Sequence, residues 1–550
     1  MNETEDTFDI SVDPLTTTVP SSTPRKSHMQ TYTAGEDGSR LAAAAKELGL
    51  QQARQPRRPV RRSISLGETN LYRYYLALDA STEQARMRSV MAFNDSDTED
   101  SSEDDGEVDD PHASGIGGDL TSAVLGIIKG MVGPAILYLP HGFASAGYAV
   151  AIPIMLLSTV LFLFSSSCLL EAWKMETEQS SSASGEQTAL LEQGNGSVRS
   201  RRRNRMLSYP ELARRALGNV GETLVKTGIA LMQSGVCLTY LIFVPQNLHT
   251  SMYLITGLDW SPRFWLLVMV AAQIPLSWIR DIRRLTPTNL AANCMILYGL
   301  CVCLGFAMGK SLFDGDKSPH VNLWNHVHHL KPFASGWFLF IGTSVLLFEG
   351  SITLLVPLQE SVTTEEQRAH FPQVYQRVIL GIICFYAIFG LTCWMAFGDD
   401  VKIVLTTSLP PGILATTVQL AYSLAVMCTF PLQNFPALEI TTRTILSMFG
   451  SGSKDGRQRN VVSSILVALL AVVAVCTMES LDMVVSLMGS LLGCPIAFVF
   501  PPLIHSQLLL KRTNLATSTF RTRLCLNGLV VFLGIVAMAI ASITTLATWT

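Results

Sequence analysis

Charge is scarce in this 550-residue chain: Asp, Glu, Lys and Arg make up 15% of it, against roughly 25% in an ordinary soluble domain. The shortage is local. Residues 1–117 are polar and rich in Ser, Thr, Pro and charge, whereas residues 118–549 carry one long apolar run after another. Runs of about 20 apolar residues cross a bilayer as helices, which excludes a soluble globular enzyme for most of the chain. They are also too long, and too little alternating, for the strands of a membrane barrel. Polar-loop cysteine is lacking as well. All 11 Cys fall inside or at the ends of apolar runs, which argues against a disulfide framework. No CxxC pair occurs, since one residue separates Cys301 from Cys303. No HExxH, nucleophile elbow or phosphate loop appears, so a membrane enzyme has little to stand on. The first 30 residues lack an apolar core, so no cleavable signal peptide is expected and the first span acts as the insertion signal. Neither a metal, an organic cofactor nor a nucleic-acid partner is expected.

The apolar runs predict eleven spans, at 118–143, 149–172, 223–246, 263–280, 286–309, 335–358, 376–397, 412–433, 460–478, 483–506 and 525–547. The fourth contains a polar Gln273. Lys and Arg bias the loops on one side of the membrane toward the cytosol. With a cytosolic N-terminus, the cytosolic loops and their flanks hold 21 Lys and Arg against five on the far side. This places residues 1–117 and the long loop 173–222 in the cytosol, and the C-terminus in the lumen or outside the cell.

Two spans carry unusual polar content. The first reads Gly126-Ile-Ile-Lys129-Gly130-Met131-Val132-Gly133-Pro134-Ala135. Pro134 removes a backbone donor and the glycines weaken the helix. Such a break is tolerated in lipid where protein or a wet cavity satisfies the freed groups. The sixth places Glu349 between Phe348 and Gly350, near its middle. Interrupted helices at corresponding places of two halves, here five spans apart, point to a transporter site built on inverted repeats. Half-helix N-termini suit a substrate carboxylate, and the opposed carbonyls suit its ammonium group. The competing reading is that these glycines only allow close helix packing; the ionisable residue beside glycine in both spans weighs against it.

Further pieces follow in order. After the second span comes Ser208-Tyr-Pro-Glu-Leu-Ala-Arg-Arg-Ala-Leu-Gly218. The sixth span continues into Pro357-Leu-Gln-Glu-Ser361, the seventh ends in Phe397-Gly-Asp399, and Leu409-Pro410 follows. The eighth span ends in Phe430-Pro-Leu-Gln-Asn-Phe-Pro436. The tenth carries Ser486-Leu-Met-Gly-Ser490 and Phe500-Pro-Pro-Leu-Ile-His505. Together with the first span these pieces resemble the amino acid/auxin permease family, whose members carry the amino acid transporter transmembrane domain. Lys-Gly-x-x-Gly and Pro-Leu-Gln-Glu-Ser look closest to its branch of vacuolar amino acid exporters and proton-coupled amino acid transporters. The resemblance implies an all-α polytopic membrane protein of eleven transmembrane helices. Its fold would be a LeuT-like five-plus-five inverted repeat plus one helix, with helices 1 and 6 broken. It also implies proton-coupled movement of small or neutral amino acids. Many relatives have Thr-Gly or Ser-Gly where this chain has Pro134-Ala135, a departure at the expected substrate contact that bears on selectivity.

Glu349 is the leading candidate for proton coupling, because a mid-bilayer charge costs about 2.5–3.5 kcal/mol on insertion scales and persists where it has a task or a partner. The alternative is a structural hydrogen bond or ion pair between helices. Lys129 is the second candidate, as a partner of Glu349 or a fixed cation where sodium-coupled relatives hold Na⁺; alternatively it snorkels to the cytosolic face. Substrate contacts are assigned to Gly130, Met131, Val132, Gly133, Pro134, Ala135, Phe348 and Gly350. Tyr240, Tyr422 and Ser423 join them as aromatic and hydroxyl groups able to close over a substrate, with ordinary helix packing as the alternative. Met131 and Val132 favour a side chain of modest size without charge.

Outside the spans, His320, His326, His328 and His329 are either pH-sensing or simply solvated. Arg54 to Arg62 precede Ser63 and Ser65, and ten acids crowd the sixteen residues from Asp95 to Asp110. These low-aromatic, charged stretches read as disordered and offer kinase acceptor sites. Phosphorylation would let the tail pair with Arg201, Arg202, Arg203 and Arg205, although that cluster equally suits anionic lipid. Glu186 followed by Leu190-Leu191 resembles an adaptor-binding sorting signal for vacuoles or lysosomes. The sequons at Asn2, Asn94 and Asn195 fall on the cytosolic side and should stay unmodified. The leading function is therefore a secondary active transporter of neutral amino acids coupled to protons, with an amino acid-sensing receptor of little flux or an auxin-type permease as alternatives.

Overall fold

The computed structural model describes residues 120–192, 207–279, 286–313, 330–362, 364–448, 456–512 and 518–549. The histidine loop, the sequons, the kinase acceptor sites and the basic and acidic clusters of the tail and of 201–205 lie outside them. Helix α1 runs Leu120–Met131, a 3₁₀ turn follows at Pro134–Tyr138, and α2 runs Leu139–Ala146. Then come α3 (Tyr148–Glu192), α4 (Tyr209–Thr256), α5 (Pro262–Ser277) and α6 (Thr286–Phe313). The sixth span is α7 (Trp337–Leu346) and α8 (Glu349–Ser361), followed by α9 (Glu365–Phe397) and α10 (Ile413–Met448). Helix α11 (Gly456–Thr477) precedes α12 (Leu481–Leu487), two π-helical segments (Met488–Gly493 and Pro495–Val499), α13 (Phe500–Arg512) and α14 (Ser518–Thr548). Glu186, Leu190 and Leu191 fall on the final turns of α3.

The protein is an all-α polytopic membrane protein. Among the described residues nine helices are long and apolar enough to cross a bilayer, and the bent pair of α1 with the segment from Pro134 makes a tenth. The expected count of eleven turns on α5. Its 16 residues reach only about 24 Å at 1.5 Å per residue, short of the ~30 Å hydrocarbon core.

The first span breaks where the sequence says it should. A residue before proline is pushed out of the helical region, and Gly133 is extended (φ −131°, ψ −170°). The two halves diverge by 42°. One of the carbonyls freed at the break is paired across the bundle: the buried Tyr386 hydroxyl of α9 donates to Met131 O at 2.7 Å. The sixth span is interrupted more gently. Leu347 and Phe348 keep right-handed dihedrals, and Phe348 N–H bonds three residues back to Val345 O at 3.0 Å. The result is a tightened turn without a sharp bend.

The Ser208–Gly218 stretch has a local explanation. Ser208 caps α4 by accepting from Glu211 N at 3.4 Å, with Pro210 in the first turn, which satisfies an otherwise orphaned donor. Glu211 in turn binds Arg214 (2.6 and 2.7 Å) and Arg215 (3.2 Å). Gly218 then kinks the helix at φ 78°, a backbone angle that a side chain strongly disfavours. The motif is thus a short capped helix joined to the membrane part of α4 through a glycine bend.

Candidate functional site

The two interrupted spans cross at their glycines. A Cβ placed on Gly350 would lie 1.9 Å from the Gly130 carbonyl oxygen, whereas one on Gly130 would meet the flexible end of Leu354 at 2.8 Å. The packing role of these glycines is therefore real. It does not displace the other role, because both also line a cavity of about 110 Å³ at the crossing.

That cavity brings together Lys129, Gly130, Met131, Val132, Gly133, Pro134, Ala135, Tyr240, Glu349 and Gly350. Lys129 occupies the last turn of α1 and Glu349 the first turn of α8. Cations favour helix C-termini and anions N-termini, so each charge sits at the helix end that offsets part of its cost in the membrane. Gln233, fully buried on α4, donates from Nε2 to Glu349 Oε1. The N–H groups of Gly133 and Ala135 belong to the open first turn of the helical segment that begins at Pro134, where backbone donors lack intrahelical partners. At the other side of the break, α1 presents its last carbonyls.

Three residues assigned from sequence lie elsewhere. Phe348 stacks on Phe162 of α3, with ring centroids 4.3 Å apart. Tyr422 packs against Phe243 at 6.3 Å and fits where Gly299 of α6 has no side chain: a Cβ there would meet its ring at 2.2 Å. Ser423 returns its hydroxyl to Gln419 O at 2.7 Å, within its own helix. Glu349 and Phe348 are neighbours in sequence, but successive helical residues point about 100° apart, and only the first meets the cavity.

The cavity also contains residues not singled out from sequence. Tyr138 and Thr239 line it, and so do Asn289 and Asn293 of α6 and Thr429 and Gln433 of α10. The Tyr138 hydroxyl is buried beside the Thr239 hydroxyl, which itself donates to Val236 O at 2.8 Å. Asn289/Asn293 and Thr429/Gln433 are each spaced i, i+4, so each pair shares a helix face. That spacing was the available signal. The cavity therefore reaches from the break toward the face from which α1 and α6 begin. On the opposite face the α9–α10 connection is fastened down. Thr406 donates to Asn247 Oδ1 at 2.5 Å, Gln419 Nε2 donates to Thr406 O at 2.9 Å, and Ser251 donates to Gln419 Oε1 at 2.9 Å, all buried.

The geometry describes a small, partly polar chamber with helix ends of both polarities and one carboxyl, closed on one side. Comparison with known proteins is consistent in kind. Residues 117–547 match the profile of the family described as transmembrane amino acid transporter protein. Vacuolar amino acid transporter 3 of Saccharomyces cerevisiae is 28% identical over 448 residues, covering 80% of this chain and 57% of its own. Vacuolar amino acid transporter 4 of the same yeast is 28% identical over 361 residues, covering 61% and 49%. Amino acid transporter ANT1 of Arabidopsis thaliana is 26% identical over 436 residues, covering 76% and 92%. The chain spans about half the length of the two yeast proteins.

Proposed function

The chain belongs to the transmembrane amino acid transporter protein family, and from that premise we propose that it is a secondary transporter moving neutral amino acids, driven by protons, through the cavity between α1 and α8. The observation that carries the reading is the meeting, in one chamber, of an open helix N-terminus at Gly133–Ala135, the carbonyl end of α1, and the carboxyl of Glu349. An α-amino acid has a negative end for the first and a positive end for the second. A chamber of about 110 Å³, against the ~150 Å³ cavity that takes up benzene, favours a compact side chain. Lys129 and Glu349 supply one charge of each sign, so the lining offers no surplus to a charged side chain. The Tyr138 hydroxyl is a further ligand for a polar atom of the substrate.

Alternating access follows from the asymmetry of the two faces. The described conformation has the α9–α10 connection locked to α4 and α10 while the cavity extends the other way. Protonation of Glu349 removes the charge that Gln233 and the end of α8 hold, and so changes the relative stability of the two arrangements. The names of the yeast relatives support a vacuolar membrane for this chain. Glu186, Leu190 and Leu191 are the proposed sorting signal within it.

The test is uptake by purified full-length protein in liposomes with an imposed pH gradient, using a panel of labelled amino acids. Wild type should accumulate neutral members of the panel in proportion to the gradient, and Glu349→Gln should lose at least tenfold of that accumulation. Uptake that ignores the gradient but requires Na⁺ would overturn the coupling ion. Binding without uptake would favour a receptor.

A further inference from the structure

The stretches 208–218 and 357–361 meet away from the chamber, at the end of α8 remote from Glu349. The partly buried Glu360 lies in the last turn of α8. Through one carboxyl oxygen it accepts from Leu207 N–H at 2.8 Å and from Trp173 Nε1–H of α3 at 3.0 Å. Leu207 directly precedes the Ser208 cap, so Glu360 holds the entry to the short capped helix 209–217. That helix is fastened elsewhere as well. The Tyr209 hydroxyl donates to Ile496 O of the tenth span at 2.8 Å, and Lys511 of α13 donates to Arg215 O and Ala216 O at 2.7 and 3.0 Å. Arg215 pairs with Glu176 of α3 at 3.0 Å. Toward the membrane part of α4 the chain continues through Gly218, at φ 78° and ψ −167°, a backbone region open essentially to glycine alone. The first turn of α9 takes two further contacts. Arg368 donates to Val362 O, just past α8, at 2.7 and 3.1 Å, and Gln367 accepts from Leu120 N–H, at the start of α1, at 3.3 Å.

We propose that Glu360 is a positioning residue for transport: it joins the outer end of α8 to the capped helix 209–217, so that the chamber wall on α8 shifts together with that helix. The inference rests on amino acid transport through the chamber and is independent of the coupling ion. Helix α8 has 13 residues, about 20 Å at 1.5 Å per residue, with Glu349 and Gly350 at one end and Glu360 at the other. A change of access displaces Gly350 against Gly130 and with it the far end of the same short helix. If α8 moved alone, Leu207 N–H and Trp173 Nε1–H would both lose their acceptor, and both residues are buried. Unmet buried donors are costly, so joint movement is the cheaper path. The hinge it needs is present, since a few residues absorb the backbone change in such motions. Gly218 lets the capped helix follow α8 while the membrane part of α4 keeps Thr239 and Tyr240 at the chamber. Helix α1 is drawn into the same joint through Leu120 and the first turn of α9, so both interrupted spans are tied together at their outer ends.

Glu360→Ala removes the acceptor, whereas Glu360→Gln keeps one carboxyl-type oxygen for the two donors. The full chain is assayed with labelled alanine, leucine and glutamine in two ways: binding to the purified protein, and the maximal rate of uptake into liposomes per folded molecule. Glu360→Ala should lose at least fivefold of the maximal rate and keep its binding affinity within threefold of wild type. Glu360→Gln should keep both within twofold. Retained binding certifies that each variant is folded. If Glu360→Ala does not fold, Trp173→Phe, which removes one donor and keeps the ring, should show the same split between rate and affinity. A wild-type rate in the variants that lose the contact, a parallel loss of rate and affinity, or a Glu360→Gln as impaired as Glu360→Ala overturns the positioning role. A wild type that binds the amino acids without taking them up overturns the transport reading itself, and the positioning role with it.

Discussion

At Gly350 a single methyl group has nowhere to go, because the atom it would strike is a backbone oxygen of the other interrupted span. At Gly130 the obstacle is the end of a leucine side chain, which can rotate aside. The two substitutions to alanine should therefore differ although both glycines line the same chamber. Gly350→Ala should destabilise the fold by about 1–3 kcal/mol, the usual cost of overpacking, and reduce uptake at least tenfold. Gly130→Ala should retain most of both. Thermal melts in detergent and uptake in liposomes check this, and equal behaviour of the two variants would refute the asymmetry. Residue identity at this scale was partly legible in the sequence. Charges in apolar runs identify themselves, so Lys129 and Glu349 are legible from the sequence alone. Aromatic and hydroxyl residues in apolar runs do not: Tyr240 reaches the chamber, while Tyr422 and Ser423 turn to Phe243 and to the backbone of their own helix. Their direction depends on helix rotation, which packing against distant spans decides.

The break in the first span shows what a whole element needs beyond its own sequence. Pro134 dictates the interruption, but the interruption alone leaves a carbonyl in the membrane interior. Its partner, Tyr386, is 255 residues away along the chain, and nothing about a tyrosine inside an apolar run announces that task. Tyr386→Phe keeps the ring and removes only the donor. Leaving a buried carbonyl unpaired costs about 1–3 kcal/mol, so the variant should melt earlier by that amount. Because Met131 itself lines the chamber, uptake should fall more than the change in stability alone explains. A variant that melts as wild type does and transports normally would show that the Met131 carbonyl finds another partner. The sixth span makes the complementary point. A glycine and an acid in an apolar run suggested a break like that of the first span, yet without a proline the chain needs only a tightened turn at Leu347–Phe348 to place Glu349 at a helix start.

Over the whole molecule, the loop charges and the cavity make one joint statement about sidedness. We propose from the positive-inside bias that the starts of α1 and α6 lie on the cytosolic side, and the chamber extends toward those same starts through Asn289 and Gln433. In the proposed orientation the described conformation would face the cytosol, with the Thr406–Asn247–Gln419 lock on the far side. The orientation half of that statement can be tested apart from any transport assay. In sealed vesicles with the cytosolic face outward, protease should remove an N-terminal tag and leave a C-terminal tag protected. The sequon at Asn195 should carry no glycan, whereas a sequon introduced into the polar loop between α6 and α7 should acquire one. A glycan at Asn195, or a C-terminal tag lost to protease in intact vesicles, would reverse the orientation. It would then turn the chamber described here into a lumen-facing one.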